Sequence, residues 1–396
     1  MKKLQLAVFN TQPPLFLGGV ERRILETSKR LQNEVTTTIY SGTKAGLHKT
    51  TKLNGTTLVP LFSTDKLFPL DNWTFNQTLK RKADAIKADV YEVHTASGYG
   101  LLRALKKKSA RTATVHTIHG VLADEYEQAT LRGGLSLRFK LANMFMAQLA
   151  KREEESAKNA SLIVTISEYS KKKILEHYHV DPSKIRLVPN GVDTDRFKPD
   201  GDCSHIRSRL NIGDRKVVLS VGRLIPRKGL SYLVQAAKKV VQHHKNTIFL
   251  IVGNGPLKGH LTKQVEAEGL TANFTFLGDV SENDLTALYR CADVFAFPSI
   301  QEGQGIALLE AQASAKPVVA FNISGVTEAV RADQTAFLVK PGDSNEFAEA
   351  ILKLLLDENL KSKMGAAGRV FVCRELSWDT CAKKMLAVYR EAAENA

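Results

Sequence analysis

A chain of 396 residues with 43% hydrophobic content can bury a large core, and its length favours two or three domains over one. No run of about 18 apolar residues occurs, which excludes an evident membrane-spanning helix, and the opening MKKLQLAVFNTQPP turns polar too soon for a signal peptide, so the chain is expected in the cytoplasm. The formal net charge of +15 is uneven, with 30 Lys and Arg against 17 Asp and Glu in residues 1–192 but 26 against 24 in residues 193–396, which points to an acidic partner for the first half.

In chain order, LQLAVFN, VTTTIY, DVYEVH, TATVHTIH, SLIVTIS and IRLV predict the strands of a parallel sheet. Helical patterns over 19–31, 99–108 and 168–178 fall between them, the βαβ rhythm of an open doubly wound fold. Basic clusters at Lys80–Lys82, 106–111 and Lys171–Lys173 read individually as solvated helix faces, and only their shared location suggests a surface for a membrane or a phosphorylated acceptor. No recognition motif with interleaved aromatics supports a nucleic acid. The segment 131–158 carries Leu135, Leu137, Phe139, Leu141, Met144, Phe145, Met146 and Leu149 among basic residues. It reads either as a helix packed on its own domain or as one lying on a membrane.

Periodicity lapses over VPNGVDTDRFKPDGD, 188–202, which places the domain boundary there. The second half restarts the rhythm with KVVLSVG, TIFLIVG, FTFLG, DVFAFP, PVVAF and AFLV, a second Rossmann-like sheet, and WDTCAKKMLAVYREAAENA reads as a closing amphipathic helix. Two facing α/β domains form a cleft at the carboxyl ends of their strands. Cys203, Cys291, Cys373 and Cys381 are scattered without CxxC spacing, so neither a disulfide framework nor a zinc site is expected. Asp193-Thr-Asp195 has the spacing of a DxD metal motif but lies in the interdomain connection, and no metal site is expected there.

Chemistry concentrates in SIQEGQGIALLE, 299–310. A strand ends at Pro298, Gly303 and Gly305 permit close backbone approach, and a helix should begin near Gly305, making an anion site of its N-terminus. Glu302 would sit in the loop and Glu310 about a turn and a half into the helix, each able to accept from sugar or ribose hydroxyls. On this motif alone, a dipole-favoured loop glutamate beside an unrelated surface glutamate accounts for the stretch equally well. SVGRLIPRKGLSYLVQA adds Arg223, Arg227 and Lys228 at the carboxyl end of the same sheet's first strand, cations that can neutralise a diphosphate.

Taken together, GGVER, VPNGVDTDRF, SVGRLIPRKG, LIVGNGP, EGQGIALLEAQASAKPVVA and the closing WDTCAKKMLAVY resemble the retaining glycosyltransferases of family 4, in this order and over nearly the whole chain. The resemblance implies the GT-B fold: an α/β chain of two Rossmann-like doubly wound domains facing across a cleft. The first, 1–187 with a returning helix at 378–396, would bind the acceptor, and the second, 188–377, the nucleotide sugar. It implies that Gly18 and Gly19 form the loop over the donor phosphates. Arg223 and Lys228 would bind the diphosphate, Glu302 would sit near the donor sugar, Gly303, Gln304, Gly305 and Ile306 would line the phosphate site, and Glu310 would bind the ribose. His119 matches a histidine that reaches the donor sugar, His94 can face the acceptor, and His116 is expected to be packed mid-strand. Gln304 stands where the family usually has an aromatic, and Ala315 where it commonly has glycine.

The implied reaction moves a sugar from a UDP- or GDP-sugar to a carbohydrate, sugar-phosphate or polyprenyl or other lipid-linked acceptor with an α linkage, without a metal or other cofactor, the nucleotide sugar being a substrate. Catalytic duty would fall to His119, Glu302, Arg223 and Lys228. A peripheral position on the inner face of an anionic membrane is expected from the basic first half. The alternatives are a GT-B-like epimerase or phosphorylase, and a non-catalytic sugar-nucleotide-binding partner of another transferase.

Overall fold

The computed structural model describes residues 3–14, 18–64, 70–108, 112–132 and 137–396. They divide into two compact units, 1–190 with 378–396, and 191–377. The division falls after Asn190 rather than after residue 187, as expected from sequence. Arg23, distant in sequence and only 1% exposed, donates to the Val188 carbonyl at 2.9 Å and to Asn190 Oδ1 at 3.0 Å, which ties these residues to the first unit.

The first unit contains β1 (Leu4–Asn10), β2 (Val35–Ser41), β3 (Thr51–Leu53), β4 (Thr56–Pro60), β5 (Val90–His94), β6 (Thr114–Ile118), β7 (Leu162–Thr165) and β8 (Ile185–Leu187). They lie in the order β3-β4-β2-β1-β5-β6-β7-β8, parallel throughout except for the β3–β4 hairpin. That hairpin turns through Asn54 and Gly55, both at positive φ, the conformation a two-residue type I′ loop requires. It was not anticipated from sequence. β5 and β6 are buried along their whole length, as a parallel sheet covered on both faces demands.

The closing helix, Trp378–Glu394, returns to this unit as expected. It buries Trp378 and Tyr389, and it pairs Asp379 with Arg30 at 3.1 Å. Of the 131–158 segment, Leu135 lies outside the described residues, as do the side chains of Leu137, Phe139 and Leu141. The helix there runs Leu137–Asn159, and its latter part packs inward, with Ala150, Glu153, Ser156 and Ala157 buried. Among the described residues no helix is long and apolar enough to cross a membrane.

Glu153 gives this unit a pH dependence. It is fully buried, accepting from Tyr178 Oη at 2.5 Å and Leu122 N at 2.9 Å, and burial pushes its carboxyl up to about 8 against those two hydrogen bonds. Between about pH 4.5 and 8 the folded chain therefore keeps a proton that the unfolded chain has released, so stability falls as pH rises through that window. Glu153→Gln, whose amide oxygen can accept the same two hydrogen bonds, should flatten this slope. Melting at pH 5 and pH 8 should show the wild type losing several degrees (roughly, for a loss of a few kcal/mol) more than the variant.

The second unit holds β9 (Lys216–Val221), β10 (Thr247–Val252), β11 (Phe274–Gly278), β12 (Val294–Phe297), β13 (Val318–Phe321) and β14 (Ala336–Val339), all parallel, in the order β11-β10-β9-β12-β13-β14. Alternate residues feed two cores. Val217, Leu219, Phe295 and Phe297 meet Leu288, Leu308 and Phe371 on one face. Val218, Phe249, Val294 and Phe321 meet Leu233, Val234 and Ile351 on the other. The period of two sends successive side chains to opposite faces, so near-continuous apolar strands are sandwiched by helices on both sides.

Candidate functional site

In the second unit the strand order reverses between β9 and β12, and ligands of open α/β sheets bind beyond the carboxyl ends at such a reversal. Both chemical motifs emerge there. β9 runs into Gly222 and Arg223, then a short turn, Pro226–Lys228, and the helix Leu230–His243. β12 ends at Phe297 and leads through Pro298 into the loop carrying Glu302. The two loops are stitched together: Ile300 N donates to the Arg227 carbonyl at 2.9 Å, and Arg227 Nη1 to the Gln301 carbonyl at 3.4 Å.

Between them lies an ion cluster. Lys228 Nζ donates to Glu302 Oε2 and stands 5.0 Å from the centre of the Phe297 ring, while Arg227 Nη1 is 3.7 Å from Glu302 Oε1. Burial by itself would raise the Glu302 carboxyl. The charges of Lys228 and Arg227, with the hydrogen bonds from Lys228 and the Gly303 N–H, outweigh it and hold the group below the usual carboxylate range. Arg223 is exposed at the same edge and lines a small hollow with Gly222, Lys228, Phe297, Pro298 and Ser299.

The helix Ile306–Ala313 starts where the glycine pattern predicts. Gly305 caps it at φ 83, and a Cβ there would meet Phe297 Cζ at 3.0 Å and Leu308 Cδ1 at 3.1 Å. Leu308 N closes the first turn on the Gly305 carbonyl at 3.0 Å, and the helix N-terminus at Ile306 follows directly on the loop that carries Glu302, an arrangement suited to an anion. Gln304 is buried. Glu310 lies further into the helix, 4% exposed, and accepts from Tyr289 Oη at 2.8 Å. The two glutamates thus differ physically: Glu302 is an ionised loop carboxylate held by cations, Glu310 a helix carboxylate anchored by a buried phenol.

In the first unit the order reverses between β1 and β5. Gly18 caps the helix Gly19–Leu31, whose Arg22 N donates to the Gly18 carbonyl at 3.0 Å; residues 15–17 of this loop lie outside the described residues. His94 ends β5 and His119 follows β6. Their rings stack with centroids 5.2 Å apart, and His94 Nδ1 is 2.9 Å from His119 Nε2. Behind them Glu92 accepts from Thr117 Oγ1 and from Tyr389 Oη, both at 2.6 Å. His116 is packed in the sheet as expected: it is fully buried, its Nε2 lies 2.7 Å from the Thr95 carbonyl, and burial lowers it to about 4.

Asp193 takes up a structural position. Its Oδ1 accepts from Asp195 N at 3.2 Å and Arg196 N at 3.0 Å, shaping a turn. Among the described residues, Asp124, Glu127 and His177 bring one ligand atom each within 4.8 Å of one another. Asp124 already accepts from Tyr169 Oη at 2.7 Å and lies 3.8 Å from Lys173 Nζ, which is the geometry of an ion-pair cluster. Sequence reasoning missed Tyr289, Phe297, Glu92 and Gly325. The last packs under the loop carrying Glu302 at φ 83, where a Cβ would approach the Glu302 carbonyl oxygen to 2.4 Å. Only Gly325 carried a signal, as an isolated glycine ahead of a helix.

Comparison with known proteins joins these observations. Residues 17–196 match the model described as Glycosyltransferase Family 4, and residues 204–371 that described as Glycosyl transferases group 1, so the two together run over most of the chain. The chain is 35% identical over 232 residues to a GDP-mannose-dependent alpha-(1-6)-phosphatidylinositol monomannoside mannosyltransferase of Mycobacterium tuberculosis, covering 57% of this chain and 60% of that one. The chain thus spans about three fifths of the length of the first curated relatives it matches. It is 28% identical over 285 residues to a UDP-Gal:alpha-D-GlcNAc-diphosphoundecaprenol alpha-1,3-galactosyltransferase of Escherichia coli, covering 70% and 69%. Sucrose-phosphate synthase from Thermosynechococcus elongatus superposes with a TM-score of 0.83 over 100% of both chains at 21% identity, which shows the fold alone. With two doubly wound parallel sheets in the GT-B arrangement of strands and both family models in register, the chain belongs to the family 4, group 1 glycosyltransferases.

Proposed function

We propose that this protein is an enzyme that transfers a hexosyl group from a nucleoside-diphosphate sugar to an acceptor hydroxyl with retention of configuration. One observation carries the reading: Lys228 and Arg227 converge on the ionised Glu302 beside the open helix N-terminus at Ile306, at the strand-order reversal. The acceptor oxygen bonds to the anomeric carbon on the face from which the diphosphate departs, and the acceptor proton passes to a diphosphate oxygen. No enzymic nucleophile is needed, and the protein's work is orientation and stabilisation of the departing charge. Arg223 and Lys228 take the phosphates with the N–H groups following Gly303 and Gly305, Glu302 meets the transferred sugar, and Glu310 accepts from the ribose.

The relatives named above use a GDP-sugar and a UDP-sugar, and either donor fits this reading. The acceptor is a lipid-linked sugar at an anionic membrane surface. Support comes from the excess of basic residues in the first unit and from its exposed Phe62, Leu70, Trp73 and Met144. Leu70 and Trp73 border a hollow that Tyr99, Phe145 and Arg152 also line.

The test is slow hydrolysis of UDP-, GDP- and ADP-sugars without acceptor, followed by transfer to acceptors in anionic and neutral vesicles. Wild-type protein should release one nucleotide, and Glu310→Ala should weaken its binding roughly tenfold or more, the cost of losing hydrogen bonds to a charged acceptor. Binding of a nucleotide sugar with no turnover would favour a non-catalytic partner, and equal transfer in solution and on neutral vesicles would remove the membrane acceptor.

A further inference from the structure

The first unit contains a buried polar chain to which the transfer described above assigns no role. Glu92, His94, Thr117 and Tyr389 are nearly inaccessible, and His119 is half-buried at the end of the chain, where β6 gives way to a loop. Glu92 Oε1 lies 3.5 Å from His94 Nε2, and His94 Nδ1 lies 2.9 Å from His119 Nε2. His94 therefore has a carboxylate on its Nε2 side, at a distance where charge rather than a hydrogen bond acts, and an imidazole at its Nδ1, so the tautomer of one ring sets that of the next.

We propose that Glu92 and His94 are positioning residues that fix the tautomer of His119, so that its Nδ1 is presented as a bare hydrogen-bond acceptor for a substrate hydroxyl. The carboxylate favours the His94 proton on Nε2, the nitrogen facing it. His94 Nδ1 is then an acceptor, His119 Nε2–H donates to it, and the lone pair of His119 is left on Nδ1. Thr117 and Tyr389 complete the device by holding both Glu92 oxygens at 2.6 Å, the second reaching in from the closing helix.

Electrostatics agree with this geometry. Burial by itself would raise Glu92, but the neighbouring His94 and the hydrogen bonds from Thr117 and Tyr389 bring it down to about 2, so it is ionised. Burial, the largest influence, holds His119 well below the ordinary imidazole range. A ring so hard to protonate is a poor general base and a persistent acceptor. The other titratable groups around the chain are Glu21, which accepts from Asn10 at 2.9 Å and which burial pushes up, and Cys381, which burial also pushes up.

The inference rests on the glycosyl-transfer reading for the hydroxyl it serves, but its first measurement does not. Long-range proton–nitrogen correlation spectra of the full chain with labelled histidine, assigned with His119→Gln, should show His119 protonated on Nε2 across pH 6 to 8. Glu92→Gln should mix the tautomers and lower kcat/KM roughly tenfold, the size of one mis-set hydrogen bond. Tyr389→Phe removes a hydrogen bond from the same carboxylate but leaves its charge, and should keep the wild-type tautomer. If both variants keep it, or if wild-type His119 carries its proton on Nδ1, the relay is wrong even where transfer proceeds. Should wild-type protein turn over no nucleotide sugar, the transfer reading falls, and the tautomer spectra still decide the relay.

Discussion

Lys228→Ala should lower kcat/KM for nucleotide-sugar turnover by about 10²- to 10³-fold, the usual loss when one preorganised charge is taken from a transition state. Two effects act together. In the proposed transfer the departing diphosphate would lose a cation at the strand-order reversal, and Glu302 loses a partner that holds it ionised, leaving Arg227 at 3.7 Å. Steady-state kinetics with the donor found in the hydrolysis panel checks this, and the split between constants is informative. Most of the loss should appear in kcat, because the charge it meets develops as the bond breaks. Lys228→Arg keeps the charge but cannot sit identically over the Phe297 ring, and should recover only part of the activity. If Lys228→Ala stays within about twofold of wild type, the Lys228–Glu302 pair is structural only, because one good contact is worth at least that factor.

Gly325→Ala should both destabilise the second unit and impair turnover. Its φ of 83 is outside the range that residues with a Cβ adopt readily, and the added methyl would lie 2.4 Å from the Glu302 carbonyl oxygen and 2.5 Å from that of Gly303. The obstruction is backbone, so the loop itself must move. Strain of this kind costs on the order of 3 kcal/mol, and a displacement of about 1 Å in a catalytic loop can cost about 10²-fold in rate. Chemical denaturation and kinetics on one preparation check both parts. Gly259→Ala is the natural control: in the helix Lys258–Ala267 its Cβ would meet nothing within 4 Å, so the change should be neutral or stabilising by about 0.5 kcal/mol. Equal behaviour of the two variants would mean that the catalytic loop tolerates the shift.

Much of the site was legible because its chemistry is local in sequence. A glycine that must adopt positive φ, a helix start and a carboxylate lie within 299–310, and strand, turn and cations lie within 220–228. Backbone geometry then puts each group at the carboxyl end of its own strand. The strands were equally plain, since those of a buried parallel sheet are continuous apolar runs bounded by turn residues. The β3–β4 hairpin escaped notice although Asn54-Gly55 is a strong turn signal, because Thr51–Leu53 is too short and polar to read as a strand. The domain boundary shifted by three residues because Arg23, distant in sequence, claims the Val188 carbonyl and Asn190.

What sequence by itself determined was the class of the molecule: two doubly wound sheets, a helix start after a glycine loop, cations on the neighbouring strand's loop, and membership in a glycosyltransferase family. Only tertiary structure decided which partners make those groups work. Tyr289 anchors Glu310, Phe297 lies under Lys228, Gly325 supports the loop of Glu302, and Tyr389 returns from the far end of the chain to Glu92. The physical reason is that such contacts join residues far apart in sequence, and their energy depends on burial and on distances of a few ångströms. Periodicity and spacing report the direction a side chain takes from its own backbone, but not what it meets there.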